Sequence, residues 1–425
     1  MVEERSWSLE GRKLYIPRMS SGGSEAFAAA VRHFGIDAEV VPEGNERTYD
    51  LAGRYMSGDE CLPERVTVGN FLRIIESPGF DPPKTAFLMP TAGGPCRLGQ
   101  YAPFLRRVLD DMGYESLMVF SPTSKNGYEG IGRFAGPLMQ RGWLALVGSD
   151  ALRKMLHIYR PRETRKGAAD AAHLEALRIF CDELENGSLR QNSVSRGLIG
   201  SMEAARDIFR GIPVDTTKET MLIGVVGEIF CRLNTFSNED LIRKLEGFGA
   251  TAWLSDITEW IWYTDEEQLK NLKLRGNRFS ASMAGVHLKK FFQKRLEHRL
   301  LEPLKDLMAG MKEPGKIREI LDLAKPYLPW HGALGEMVLS VGKSIYLYEN
   351  GVDGIIDISP FTCMNGIVSE SVYPRVSRDH DDIPIRPFYF DANRMDLEND
   401  LGIFMELVSS YNRRKKRKRR GIRAA

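Results

Sequence analysis

Five cysteines occur in the 425 residues, and three of them stand in the same kind of place. Cys96 lies in Pro90-Thr91-Ala92-Gly93-Gly94-Pro95-Cys96-Arg97-Leu98-Gly99-Gln100-Tyr101. The apolar run Thr85-Ala86-Phe87-Leu88-Met89 before it reads as a buried strand. After it, Tyr101, Phe104, Leu105, Val108, Leu109 and Met112 recur at helical spacing up to Gly113. Cys61, in Ser57-Gly58-Asp59-Glu60-Cys61-Leu62-Pro63-Glu64, also precedes a helix; Pro63 suits its first turn, and Val66, Val68, Phe71, Leu72 and Ile75 supply its apolar face. Cys363 repeats the pattern of Cys96, with the strand Gly354-Ile355-Ile356-Asp357-Ile358 before it, then a proline, the cysteine, a glycine and a helix. At a helix N-terminus the unpaired N–H groups and the dipole favour a thiolate over a thiol. The turn beyond the carboxyl end of a strand is also where α/β sheets place their ligands.

The other two cysteines call for packing. Cys181 extends the stripe Leu174, Leu177, Ile179, Phe180 and Leu184, and Cys231 lies among Ile229, Phe230 and Leu233. There a neutral thiol behaves as a small apolar group. For the trio, three unrelated small-residue turns are the structural reading. Zinc is a second reading, but its sites usually show local CxxC pairs and a fourth histidine or cysteine. Here the spacings are 35 and 267 residues, and no histidine stands beside any of the three. An iron–sulfur cluster suits three thiolates better.

The elements that must carry these turns alternate. Lys13-Leu14-Tyr15-Ile16-Pro17, a helix from about Glu25 to Phe34 and Ala38-Glu39-Val40-Val41 form a β-α-β opening, which favours a parallel sheet. Gly22 and Gly23 resemble a phosphate turn, yet their spacing fits neither the Walker nor the dinucleotide fingerprint, and a plain turn is the preferred reading. Ser116–Ser121 is the next strand, and the first domain is expected to end near residue 150. Residues 151–215 read as a helical connector. A second α/β domain, 216–408, opens on Met221-Leu222-Ile223-Gly224-Val225-Val226-Gly227-Glu228. It continues through a helix from Asn238 to Phe248 with Asn238 as cap, a helical insert over about 281–328, and the Cys363 turn.

With 43% hydrophobic residues, the chain can bury two or three cores. No apolar run approaches a membrane span, no secretory signal is seen at Met1–Ser6, and the cysteines form no disulfide framework, so a reduced, cytoplasmic chain is expected. Net charge is only +2, with the basic excess gathered in the last residues. Arg413–Arg420 reads as a solvated, disordered tail within 409–425; contact with nucleic acid, an anionic membrane or an acidic partner is its functional alternative.

The segments Glu60-Cys61-Leu62-Pro63, Gly94-Pro95-Cys96-Arg97-Leu98-Gly99-Gln100-Tyr101 and Pro360-Phe361-Thr362-Cys363-Met364 resemble the 2-hydroxyacyl-CoA dehydratase and benzoyl-CoA reductase superfamily, in its activase-related branch. Gly227-Glu228-Ile229 with Asn234, Phe236 and Asn238, and Ser340-Val341-Gly342-Lys343, look like the same branch; the similarity covers roughly residues 12 to 408. The resemblance implies two flavodoxin-like α/β domains facing each other across a cleft. It implies a [4Fe–4S] cluster held by Cys61, Cys96 and Cys363, and an iron open to water or a thioester. Arg97, Glu60 and Glu228 flank these turns or a strand end and are candidates to support the cofactor.

The resemblance further implies a separate ATP-dependent activase as electron donor, since the chain has no activase nucleotide module of its own, and a homo- or heterodimer as the working unit. Two functions follow as expectations. One is reductive or radical dehydration of a CoA thioester or similar small molecule; the other is a non-catalytic electron-relay or cluster-carrying subunit.

Overall fold

The computed structural model describes residues 9–94, 96–122, 135–188, 193–276, 280–333, 335–393 and 396–424, with side chains up to residue 418. Pro95 of the second cysteine turn and the Met1–Ser6 segment lie outside the described residues. Short apolar runs bounded by turn residues form β1 (Lys13–Ile16), β2 (Ala38–Val40), β3 (Thr85–Leu88), β4 (Met118–Phe120), β5 (Met221–Gly227), β6 (Ala250–Leu254), β7 (Gly354–Pro360) and β8 (Ile385–Phe390). They pair into two four-stranded sheets ordered β2-β1-β3-β4 and β6-β5-β7-β8. Every pairing is parallel, with Leu14 opposite Ala38 and Ala86 in the first sheet, and Val225 opposite Leu254 and Ile356 in the second. The chain is therefore an α/β protein with two flavodoxin-like domains.

Parallel strands need crossovers, and helices supply them. In the first domain these are α1 (Ser21–Arg32), α2 (Glu46–Gly53), α3 (Leu62–Ile75) and α4 (Tyr101–Asp111). In the second they are α8 (Ile229–Leu233), α9 (Leu241–Gly247), α13 (Met337–Glu349) and α14 (Met364–Asp379), with α10 (Thr258–Leu274), α11 (Ala281–Leu301) and α12 (Ile317–Ala324) inserted between β6 and β7. Between the sheets run α5 (Ala135–Tyr159), α6 (Ala168–Asn186) and α7 (Arg196–Arg210), and α15 (Leu397–Ala424) closes the chain.

Burial explains these choices. Phe71 of α3 stacks on Phe87 of β3, ring centroids 4.3 Å apart, and both are fully buried. Each such side chain contributes about 1.5–3 kcal/mol. The connecting helices share a core with α1 and α11 through residues such as Ala29, Leu152, Phe180, Met202 and Leu300. From α3, Leu62 and Val66 join the core of the second sheet. The two domains are thus packed through one another and share core residues.

Several boundaries differ from the sequence reading. The expected border at 150 falls inside α5, whose buried residues continue to His157, and the border at 408 falls inside α15. Gly22 and Gly23 belong to the first turn of α1, where Ser20 accepts the Gly23 N–H at 3.0 Å. Asn238 does accept the Leu241 N–H, but α9 begins at Leu241 after a left-handed Asp240. The expected disordered tail is a correction: residues 409–424 continue α15. Leu397, Leu401, Phe404, Met405 and Val408 bury one face of that helix and propagate it. The basic residues then find partners: Lys415 reaches Asp353 at 2.8 Å and the carbonyls of Gly351 and Val352, and Lys418 reaches Asp381 at 2.8 Å. No helix among the described residues is long and apolar enough to cross a membrane.

Candidate functional site

Both sheets have the same strand order, and that order gives Cys96 and Cys363 equivalent positions. Cys96 follows β3 and Cys363 follows β7, each the strand beside the first strand of its sheet on the inner side. Each of the three predicted cysteines has extended backbone and stands immediately before a helix: Cys61 before α3, Cys96 before the single 3-10 turn Arg97–Gln100 that feeds α4, and Cys363 before α14. Thr362 has φ of 60°, an uncommon left-handed value for a β-branched residue, and it turns the chain sharply into Cys363. All three cysteines line one cavity of about 2330 Å³, shared with Glu228, Glu336 and Tyr101.

Arg97 ties the three turns together. Its guanidinium donates to the Asp59 carbonyl at 2.6 Å, in the Cys61 turn, and to the Thr362 carbonyl and hydroxyl, both at 3.2 Å, in the Cys363 turn. A planar fork of donors can make such a junction where a lysine could not. Glu60 serves its own turn, accepting the N–H groups of Ser57 and Gly58 at 3.3 and 3.0 Å. Burial pushes its carboxyl up, but those backbone bonds hold it below the usual carboxylate range. Tyr101 pairs its hydroxyl with the Cys61 sulfur at 2.5 Å.

Two carboxylates occupy the same cavity wall. Gly227, with φ of 117°, ends β5 so close to β7 that a Cβ would collide with the Ile358 carbonyl. This turn aims Glu228 at the start of α8, where it accepts the N–H groups of Phe230 and Cys231 at 2.9 and 2.7 Å. Glu336, just before α13, accepts the Ile229 N–H at 3.2 Å and is approached by the Asn365 amide at 3.4 Å. Burial and then the neighbouring Glu228 push Glu336 up to about 8, and burial raises Glu228 as well. Glu336 lacks any local motif, and only the fold brings it to the cysteines.

The thiols are not the thiolates that the helix ends alone suggest. Burial pushes Cys61 up to about 11 and Cys363 up to about 12, and it raises Cys96. Backbone N–H groups of Glu64, Leu98 and Gly366 pull the other way, as expected at helix N-termini, but desolvation outweighs them. Of the remaining cysteines, Cys181 packs against the core of the connecting helices. Cys231 is fully buried in the second sheet's core, and burial and then the Glu228 carboxylate raise its thiol well above the usual range. Its backbone N–H bonds Glu228, but its side chain is not part of the cavity wall. All five are free.

The cavity runs on under the insert, where Trp260, Leu272, Val286 and Phe292 of α10 and α11 line it. Its chemistry can be defined to the level of class: an α/β protein with a thiol-lined cleft between two like-ordered sheets. The chain matches no protein-family model, and no curated protein matches it.

Three thiols on one cavity, with helix N–H groups behind them, form a donor set that fits an iron–sulfur cluster. A single ion needs its ligands closer, and among the described residues no three His, Cys, Asp or Glu side chains are so gathered.

Proposed function

We propose that this chain is an iron–sulfur protein similar to the 2-hydroxyacyl-CoA dehydratases, with Cys61, Cys96 and Cys363 holding a [4Fe–4S] cluster. It would take part in ATP-driven, low-potential electron transfer to a CoA thioester or other small molecule. The observation that carries this reading is the meeting of the three cysteines, far apart in sequence and drawn from both domains, at one cavity.

The cluster, when bound, supplies one-electron chemistry at low potential. The protein's part is distinct. Arg97 keeps the three turns in register. The α10–α11 insert walls the cavity with apolar side chains such as Trp260 and Phe292 and with polar ones such as Gln268, Asn271 and Lys289. Glu336, held neutral near pH 7, can give a proton to a reacting group, while Glu228 fixes the turn beside it. The electron would come from a separate ATP-dependent activase, with a homo- or heterodimer as the working unit. Five free thiols suit a reducing, cytoplasmic setting.

The test is anaerobic reconstitution with iron and sulfide, reading iron per chain and visible absorbance. The wild-type chain should take up about four irons. Serine at Cys61, Cys96 or Cys363 should strip or convert the cluster, whereas Cys181→Ala should leave iron intact. Full iron in all three serine variants would overturn the assignment. A loaded protein that reduces a partner but turns over no thioester would identify an electron relay.

A further inference from the structure

Tyr101 opens α4, directly after the turn that follows Cys96, yet its hydroxyl lies against the sulfur of Cys61, 40 residues earlier, at 2.5 Å. The side chain is built into the fold. Its ring belongs to a core with Phe71, Leu72, Leu105 and Val108, and Tyr101 is 6% exposed beside a Cys61 that is 8% exposed. Close packing on the ring fixes where the hydroxyl sits. Both residues also line the cysteine cavity.

The three cysteines are not treated alike. Each sulfur meets backbone N–H groups of the helix or turn behind it: Glu64 for Cys61, Leu98 for Cys96, and Gly366 and Asn365 for Cys363. Such bonds come with a place before a helix, and the trio shares them. Among the described residues, only Cys61 also meets a side-chain hydroxyl.

Chemistry sets the direction of that bond. A neutral thiol can give or accept it. A sulfur bound to iron carries no proton, whereas a phenol keeps its own at neutral pH, so the hydroxyl becomes the donor. A hydrogen bond to a ligand sulfur offsets negative charge, and the reduced form of a cluster carries one negative charge more than the oxidised form. The bond therefore stabilises the reduced form further, which raises the reduction potential. It also holds the ligand in one orientation.

We propose that Tyr101 is a positioning residue of the iron–sulfur site: its hydroxyl donates to the Cys61 sulfur, holds that ligand in place and raises the potential at which the cluster accepts an electron. This role rests on the iron–sulfur reading above and adds to it which of the three sulfurs carries the tuning bond.

The experiment is an anaerobic redox titration, with titanium(III) citrate as the one-electron reductant, of the full-length chain reconstituted with iron and sulfide. Wild type, Tyr101→Phe and a chain with a ring-fluorinated tyrosine at position 101 are compared, reading visible absorbance for the midpoint and iron per chain for cluster content. Phenylalanine keeps the ring and removes the donor. Its iron should stay at the wild-type level while the midpoint falls by about 59 mV, a tenfold shift in the one-electron equilibrium. The fluorinated ring keeps the shape and makes the hydroxyl a stronger donor, so the midpoint should rise. A role in packing alone would move neither. Full iron with unmoved midpoints in both variants would overturn the tuning bond and leave the iron–sulfur reading standing. A wild-type chain that takes up no iron would overturn that reading and this role together. If Tyr101→Phe loses its iron, the fluorinated chain decides by sign: a raised midpoint upholds the bond, and an unmoved or lowered one overturns it.

Discussion

Arg97 joins the Asp59 carbonyl to the Thr362 carbonyl and hydroxyl, so one side chain spans the turns of Cys61 and Cys363 from within that of Cys96. Arg97→Ala should therefore lower iron uptake more than it lowers stability, with a stability cost of about 1–2 kcal/mol for partly exposed bonds. Arg97→Lys should rescue little, because the fork is lost while the charge remains. Iron per chain and thermal unfolding of the two variants check this. Glu336 gives a second expectation. Its carboxyl titrates near 8 in the fold and near 4.5 when unfolded, so the folded state holds the extra proton between those values. Its contribution to stability is full below about pH 4.5 and is lost as pH rises through 8. Glu336→Gln should thus stabilise the protein at pH 8 relative to wild type, by up to about 4 kcal/mol, and make no difference at pH 4. Unfolding midpoints at the two pH values measure it.

Helices α5, α10 and α13 are fastened by a buried ion network. Lys343 of α13 bonds Glu259 and Glu313, and Lys154 of α5 bonds Asp256 at 2.9 Å and Glu313 at 2.6 Å. Desolvation lowers both lysines, but the flanking carboxylates more than reverse it, so they stay charged. Lys343→Met would strand Glu259 and Glu313 without that cation, and a loss of about 3–5 kcal/mol is expected in denaturant unfolding. The end of α15 is a milder case. Deleting residues 413–425 removes the bonds of Lys415 to Asp353 and of Lys418 to Asp381, both far from the cysteine cavity. Iron content should be unchanged and stability should fall by about 1–2 kcal/mol. Loss of iron on truncation would mean that the helix serves the site.

The whole molecule behaves as two sheets locked across a cleft. Asn234 donates to the Arg18 carbonyl at 2.7 Å, Asp150 accepts the Ile257 N–H at 2.9 Å, and Leu62 and Val66 complete the second sheet's core. Such an interface holds the cysteine turns from both domains in one arrangement, which a cluster spanning them requires. On the iron–sulfur reading proposed above, a low-potential electron would be delivered from outside. The chain lacks a Walker lysine motif, so the purified protein should hydrolyse no ATP by itself; a coupled phosphate-release assay with and without an activase partner is the check, and robust hydrolysis by the chain alone would sink the relay of electrons proposed here.

Apolar runs and turn residues are local signals, so the sequence by itself determined the parallel α/β class, the strands that carry Cys96 and Cys363, and the helices that follow all three site cysteines. Each depends on neighbours within about a dozen residues. Tertiary structure decided what depends on distant neighbours. It set the equivalent places of Cys96 and Cys363 in like-ordered sheets, the arrival of Glu336 beside them, and the span of Arg97. It also reversed two local readings. Helix ends favour thiolates, but the desolvation that packing imposes leaves these thiols protonated. Like charges favour a loose tail, but an apolar face upstream and acids supplied by Asp353 and Asp381 draw that segment into helix. In both cases a short-range preference of a kcal/mol or so yields to burial and charge pairing, whose partners lie tens of residues away.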